Sequence, residues 1–386
     1  AVSIPPVGHF THRSVISHCE PARPGASASE RPFARIGRDA PPANFRYNDE
    51  HSPRRATTRG NKQMDITVGT FNLNNLFSRY NFTAEVEIVS QGGIEVDSEV
   101  RFTFAEPVGY VFRSYMGKLV EQKSPAERQI IADRIRAMNV DVLAVQEVED
   151  IGVLRQFALE DLGGMYPYQV LVEGNDQRLI DVGLLSRYPI GGVTSWRFAV
   201  HPDEPHDYIF SRDLLEVDIL DPKKRERLFT VFNTHLKSNY TRWDQDAEEA
   251  RARILERRRR QAETVAAIVE ARTRPNSSYV VTGDMNDGAE AESLAAFRAA
   301  GWVNGLAAPK ETRPAKSERP AEYNAPHTSW THRYKPNRQP PQFELYDQVW
   351  LSPSLARRHV DGWIDRRTRH SGDGSDHDPA WVTLRF

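Results

Sequence analysis

The chain has 386 residues, 39% hydrophobic and 27% charged, with a net charge of −2, a composition that supports a soluble protein with a sizeable core. Its single cysteine, Cys19, excludes an intramolecular disulfide and a cysteine-based zinc site, and no run approaches the roughly 18 apolar residues of a membrane span. Charge is uneven: residues 1–63 carry a net of +5 and the rest a net of −7, an acidic body that does not advertise tight non-specific nucleic-acid binding yet leaves room for a local basic groove.

Residues 1–63 contain eight prolines, many arginines and no helix or strand periodicity. Such a segment buries too little apolar surface to offset chain entropy, so it is expected to be a disordered tail. It also lacks the apolar core of a signal peptide. Met64 stands directly before the first strand pattern and is the expected natural start, the alternative being that residues 1–63 are a genuine disordered arm. A cytoplasmic location follows from these features, with secretion left open if the N-terminus is incomplete.

Residues 64–386 read as one domain. Strand Ile66–Phe71 leads into a β-rich insertion at 84–104, with a turn at Gln91-Gly92-Gly93. Apolar residues at helical spacing after a proline predict a helix over Pro125–Met138. Strands are predicted at Val140–Val145, Tyr168–Val172, Val182–Leu185, Leu214–Ile219 and Leu228–Thr234. A long helix with an acidic first turn follows over Asp244–Ala271. Strand Tyr279–Thr282, helix Glu290–Ala300, strand Leu345–Leu351 and a last strand Ala380–Phe386 complete the pattern. Residues 309–342 are rich in proline, lysine and arginine and read as a long loop. The alternation favours layered α/β architecture.

Five strands adjoin polar runs that folding does not require. They are Phe71-Asn72-Leu73-Asn74-Asn75, Gln146-Glu147, Asn233-Thr234-His235-Leu236-Lys237, Gly283-Asp284-Met285-Asn286 and Ser375-Asp376-His377. Asp347 adds a carboxylate in a sixth apolar run. In layered α/β folds, ligands collect at strand ends. Glu147, Asp284 and Asp376 are hard oxygen donors of the kind Mg²⁺ and Mn²⁺ prefer. Asn72 and Asn286 can orient a carboxylate, a water or a phosphate oxygen without adding charge. His235 and His377 can move protons near neutral pH. Arg212 and Lys237 can neutralise phosphate charge, and Asn233 is placed with them on the phosphate side. Taken singly, each run has an ordinary structural explanation: a helix N-terminal carboxylate for Gln146-Glu147, an Asx-turn for Asp284-Met285-Asn286, a surface pair of Arg212 with Asp213 or Asp218. Together they describe metal-assisted hydrolysis of a phosphoester.

The order of these motifs closely resembles the endonuclease/exonuclease/phosphatase superfamily, the metal-dependent phosphodiesterases of the pancreatic-type deoxyribonuclease fold. The resemblance covers about residues 65–386. Phe71 to Phe77, Thr234 to Ser238 and the Arg258 to Ala262 run look most like its bacterial predicted-nuclease branch. It implies a four-layer α/β sandwich, with two packed mixed β-sheets flanked by helices. It implies that Glu147 is the principal Mg²⁺ (or Mn²⁺) ligand beside Asn72, with Asp376 on the metal side. It implies that His377, oriented by Asp347, is either the general base or the phosphate-polarising group, and that Asp284 positions or deprotonates the attacking water. Asn286 would hold the phosphate or water, and His235 would stabilise the pentavalent phosphorus or protonate the leaving group. Met285 stands where the family usually has an aromatic, and Asn74 where abasic-site endonucleases carry aspartate. The segments 84–104 and 309–342 have no family counterpart.

The resulting expectation is a divalent-metal-dependent phosphodiester hydrolase, a monomer acting on DNA or RNA by in-line water attack. The alternative keeps the site and changes the substrate to lipid head groups, inositol phosphates or nucleotides. A non-enzymatic member would lack a site residue, whereas Glu147, Asp284, Asn286, Asp347 and His377 are all present. The run Arg257-Arg258-Arg259-Arg260 invites a phosphate-contacting role, although four in a row wrap a helix. Lys223-Lys224-Arg225 and Arg366-Arg367-Thr368-Arg369 read as solvated turns, His201, His206 and Asp207 as a polar loop, and Trp330, between His327 and His332, as a packed tryptophan.

Overall fold

The computed structural model describes residues 64–77, 82–90, 96–104, 114–115, 118–119, 123–239, 246–312, 325–334, 339–366 and 373–386. The expected disordered tail at 1–63 and the turn at Gln91-Gly92-Gly93 lie outside them. The β-rich insertion is an antiparallel hairpin, Phe82–Ser90 paired with Val96–Phe104.

Two mixed sheets form the body. The first has seven strands in the order Lys310–Glu311, His359–Ile364, Ala380–Arg385, Asp65–Leu76, Val142–Val148, Asp181–Ser186 and Tyr168–Leu171. The second has six, in the order Val303–Asn304, Asp347–Leu351, Tyr279–Asp284, Arg227–His235, Leu214–Leu220 and Ile190–Ser195. Each contains one parallel pair among the strands that build the site: Asp65–Leu76 with Val142–Val148, and Arg227–His235 with Tyr279–Asp284.

Strand alternation explains the layering. Along Asp65–Leu76, Ile66 and Val68 join the core between the sheets, while Phe71 and Leu73 join a separate cluster under the first sheet's helices. Along Val142–Val148, Val142 and Ala144 face the inter-sheet core and Leu143 and Val145 the helix side. Both faces of each strand are buried, which gives continuous apolar runs instead of alternation between apolar and polar residues. Helix Pro125–Met138 contributes Ile131, Ala132 and Ile135 to the outer cluster, and Leu154 and Phe157 come from the short helical segments after residue 150. Helix Ala247–Arg272 packs Ala262, Val265 and Val269 on the second sheet. The result is the helix–sheet–sheet–helix sandwich.

Local chemistry sets the helix limits. Ser124 and Glu127 form a reciprocal capping box, Pro125 occupies the first turn, and Asn139 ends the helix in the left-handed conformation at φ 52°. The long helix starts at Ala247, later than the predicted Asp244, because Asp246 accepts the amide hydrogens of Glu248 and Glu249 at 3.0 and 2.9 Å. The helix predicted over Glu290–Ala300 is shorter: extended Ala291 precedes a 3₁₀ turn at Glu292–Leu294 and a five-residue helix, Ala295–Ala299, with no side-chain cap. The predicted loop at 309–342 contains structure, including strand Lys310–Glu311 and a hairpin of His332–Tyr334 with Gln342–Glu344.

Between the sheets lies a polar tie with no solvent exposure. Thr70 Oγ1 donates to Gln146 Oε1 at 3.3 Å, and Gln146 Nε2 donates to Asn233 Oδ1 at 2.9 Å. Asn233 Nδ2 donates to the carbonyls of Val145 at 3.1 Å and Gly183 at 2.8 Å. These residues continue the inward rows begun by Ile66 and Val68, Val142 and Ala144, and Phe229 and Val231. A satisfied buried network of this kind fixes how the sheets register.

Candidate active site

The carboxyl ends of the four parallel strands meet. Asn72 ends the inward row of the first strand, and its Nδ2 donates across the sheets to Asp284 Oδ2 at 2.9 Å. Asp284 Oδ1 accepts the amide hydrogen of Asn286 at 2.9 Å. His235 Nε2 lies 3.4 Å and His377 Nε2 3.8 Å from Asp284 Oδ2. His377 Nδ1 bonds Asp347 Oδ2 at 2.7 Å. Asp284 and Asp347 sit opposite each other on adjacent antiparallel strands. Six predicted residues (Asn72, His235, Asp284, Asn286, Asp347 and His377) therefore form one contiguous array.

Two backbone features make room for it. Glu147 adopts φ 60° where the pairing register shifts between Gln146 and Val148. That bulge interrupts strand alternation at Glu147, a standard way to re-aim a side chain. Gly283 has φ 130°, and a Cβ there would stand 1.9 Å from the Thr234 carbonyl oxygen, so only glycine fits before Asp284.

The charges explain the remaining members. Burial raises the Glu147 carboxyl pKa, and the charge of Asp376 adds to the rise while His377 and Arg212 oppose it. Burial also raises Asp284, with His377 opposing and Asp347 reinforcing. Burial disfavours the charged form of His377, but Asp347 and Asp284 outweigh it and hold this imidazole well above its usual value. His235 is held well below its usual value, first by burial and then by Arg212, Arg178, His377 and Lys237. The two histidines are thus driven apart, one towards imidazolium and one neutral. Lys237 is pushed down to about 8 by burial and then by Arg212 and Arg178.

Arg212 is buried, 3.1 Å from Asp176 through Nε, and its NH1 donates to the Leu236 carbonyl at 3.4 Å. Its pairing is with Asp176, not with Asp213 or Asp218. Asn233 does not belong to the phosphate side: both its amide hydrogens serve main-chain carbonyls of the first sheet, and the residue has no exposure. Met285 is fully buried in the core.

Several residues of this centre carried no readable sequence signal. Lys123, just ahead of the Pro125 helix, donates from Nζ to the Gly374 carbonyl at 2.7 Å, and its charge acts on Asp376 and Glu147. Arg178 is bonded to Asp176 and adds a third cation to Arg212 and Lys237 near His235. Thr331 Oγ1 accepts the amide hydrogens of Tyr346 at 3.1 Å and Asp347 at 2.9 Å, and Ser375 Oγ donates to the Asn72 carbonyl at 2.7 Å. Asp378 is fully buried between Arg366 at 3.2 Å and Arg134 at 3.3 Å, so Arg366 is no solvated turn. Trp330 is packed, under the Arg366 guanidinium at 4.0 Å and beside Phe343 at 4.9 Å.

The four-arginine run is committed within the protein. Arg258 is buried and holds three site loops, through the Lys237 carbonyl at 2.9 Å, Asn239 Oδ1 at 2.5 Å and Asp287 Oδ2 at 2.5 Å. Arg257 pairs with Asp207, Arg259 with Glu256 and Glu263, and Arg260 with Glu256 and Glu204.

Residues 69–377 match the endonuclease/exonuclease/phosphatase family. The chain belongs to that family, and its general chemistry is phosphoester hydrolysis, for which family members use divalent metals. The fold is shared with a family protein from Bacteroides thetaiotaomicron at 16% identity and a TM-score of 0.50, covering 84% of this chain and 96% of that one. Weaker likeness extends to an AP endonuclease from Archaeoglobus fulgidus (17% identity, TM-score 0.47, 83% and 99% coverage) and to sphingomyelinase C from Streptomyces griseocarneus (17%, 0.47, 83% and 99%). No curated protein matches the sequence. No helix among the described residues is long and apolar enough to cross a membrane.

The donor set fits a divalent cation. Burial and the charge of Asp376 both raise the cost of ionising Glu147, a repulsion that a cation relieves. Asn72 Oδ1 accepts one hydrogen bond, from the Asn74 amide at 2.9 Å, and an amide oxygen has a second lone pair.

Proposed function

We propose that the chain is a Mg²⁺- or Mn²⁺-dependent phosphodiesterase that cleaves DNA or RNA by in-line attack of water. The observation that carries this reading is the array Asn72–Asp284–His377–Asp347, with neutral His235 on its flank. Glu147, Asp376 and Asn72 would hold the ion, which when bound supplies Lewis-acid polarisation of the phosphoryl oxygen. Asp284, its basicity raised by burial, accepts the proton of the attacking water through Oδ2, and Asn72 and the Asn286 amide fix its carboxylate plane. His377, held as imidazolium by Asp347, directs Nε2 at the developing charge on phosphorus. His235 donates a hydrogen bond as a neutral imidazole on the leaving-group side. Arg212, Arg178 and Lys237 give that side its positive potential.

The nucleic-acid substrate is supported by the motif resemblance to the bacterial nuclease branch. A second reading, a small phosphoester, is favoured by the arginine run, since Arg257 to Arg260 are paired internally instead of offered to a duplex. The test is hydrolysis of plasmid DNA and RNA in Mg²⁺ or Mn²⁺, beside sphingomyelin, inositol phosphates and nucleotides, with product mapping. Cleavage of the polymer upholds the nuclease; turnover of small esters alone replaces it with the second reading.

A further inference from the structure

His332 lies outside the hydrolytic array, yet it belongs to the cluster His332, Asp376 and His377, whose ligand atoms all lie within 4.8 Å of one another. We propose that these three side chains form a site for a soft divalent ion such as Zn²⁺, and that its occupation inhibits the enzyme by capturing the working nitrogen of His377.

The ligand types select the ion. Two imidazoles and one carboxylate suit zinc, copper or nickel, whereas Mg²⁺ favours oxygen donors and keeps its waters. The geometry is close to assembled. His332 Nε2 stands 3.9 Å from Asp376 Oδ2, and a tetrahedral ion with bonds of about 2.0–2.1 Å holds its ligand atoms roughly 3.4 Å apart. Asp376 is the most movable member, with 56% side-chain exposure, so it can close that gap by a rotamer change.

The other two ligands are pre-positioned. Asp347 bonds Nδ1 of His377 at 2.7 Å, which leaves Nε2 as the coordinating atom. A carboxylate behind a histidine is the usual support for a metal-binding imidazole. His332 is stacked on Tyr346 at 4.8 Å and 11°, and its ring centroid lies 4.9 Å from that of His377. An antiparallel bridge between His332 and His377 places their backbones side by side. With 17% side-chain exposure at His332, the cluster opens to solvent on one side.

Zinc at this position displaces the Nε2 proton of His377 and occupies the lone pair beneath it. Neither a phosphate-directed N–H nor a proton acceptor then remains on that ring. Mg²⁺ on the oxygen donors does not compete for the two imidazoles and shares only Asp376 with this site, so excess Mg²⁺ weakens zinc binding without abolishing it. The inhibition, unlike the binding, rests on the phosphoesterase activity proposed above.

The test uses the full chain in saturating Mg²⁺. Calorimetric titration with Zn²⁺ should reveal one site per chain, and Co²⁺ in its place should give the visible absorption of a low-coordinate ion. Hydrolysis should fall to background at one equivalent. His332→Phe keeps a ring on Tyr346 and removes the ligand. It should weaken Zn²⁺ binding at least ~10-fold and raise the half-inhibiting concentration equally, each rate being normalised to the variant's own zinc-free rate. Asp376→Asn, at an exposed position, should weaken calorimetric binding likewise. Zinc binding unchanged in both variants overturns the site, and binding without inhibition overturns its regulatory role. If no phosphoester is hydrolysed without zinc, the proposed function fails, while calorimetry still decides the site.

Discussion

Asn72 and Asp284 are 212 residues apart in sequence and 2.9 Å apart through Nδ2 and Oδ2. Asp284 ends a strand of one sheet, and Asn72 closes the inward row of a strand of the other. The hydrogen bond therefore spans the sandwich at the point where chemistry is expected, and relative sliding of the sheets would break it. The fully buried Thr70–Gln146–Asn233 tie adjoins Asn72 and Glu147 in sequence and resists that sliding.

Replacing His377 by Ala should lower kcat by at least ~10²-fold. Asp347→Asn should also lower kcat while leaving KM nearly unchanged. Because Asp347 raises the His377 pKa, its neutralisation should move the corresponding limb of the pH–rate profile to lower pH. A profile with unmoved limbs, together with near-normal rates, would detach the pair from catalysis.

Glu147→Gln removes a carboxylate whose pKa is raised by burial and Asp376. The Mg²⁺ concentration giving half-maximal activity should rise roughly 10- to 100-fold, by analogy with other losses at metal sites. Thermal shift with and without Mg²⁺ checks the same point independently of turnover. An identical Mg²⁺ titration would sink the assignment.

Lys237, pushed down to about 8, loses its charge as pH rises through that value. If its ammonium helps hold phosphate, KM should climb above pH 8. Lys237→Arg keeps a cation throughout and should flatten the climb. Equal KM profiles for the two proteins would remove Lys237 from phosphate binding.

Asn233→Leu leaves Gln146 Nε2 and two main-chain carbonyls without their partner inside the protein. The cost should be roughly 2–4 kcal/mol of stability. Denaturant unfolding measures it, and KM of the folded enzyme should stay within ~3-fold, an effect of about 0.6 kcal/mol. A large rise in KM at unchanged stability would return Asn233 to the phosphate side.

Asp181, pushed up to about 7 by burial despite accepting the Gly174 amide hydrogen at 2.7 Å, makes folding pH-dependent. The folded state binds this proton more tightly than the unfolded chain, whose carboxyl titrates near 4. Its contribution is therefore retained below about pH 4 and lost as pH rises towards about 7. Asp181→Asn should abolish that slope and gain on the order of 2–3 kcal/mol at pH 8. Parallel stability–pH curves for variant and wild type would contradict this.

Sequence made the strand ends legible because polar runs such as Gly283-Asp284-Met285-Asn286 interrupt apolar strands abruptly. Helix Pro125–Met138 was readable to the residue because its cap, its proline and its apolar spacing coincide. Strand Ile190–Ser195 was not, since it is an edge strand with two glycines and half-exposed positions. Lys123, Arg178 and Thr331 were invisible for a different reason. Each acts through a contact made in three dimensions, and a lone lysine, arginine or threonine near a helix or loop has no local signature. Asn233 shows the reverse case, a residue inside a readable motif whose amide is used for architecture. Arg258 likewise sat in an apparent basic stripe and instead fastens the Lys237, Asn239 and Asp287 loops from within.

The Gln146–Asn233 bond has a further consequence for how such motifs are inherited. Gln-Glu and Asn-x-His each join one letter that braces the sandwich to one that the proposed function assigns to the chemistry. A descendant that abandoned catalysis would still be under pressure to keep Gln146 and Asn233, because losing either loosens the fold. Glu147 and His235 would drift first. Surviving activity among relatives is therefore better judged by those second letters than by the motifs as wholes, and an inert scaffold for binding is best made by changing Glu147 and His235 while leaving their partners alone.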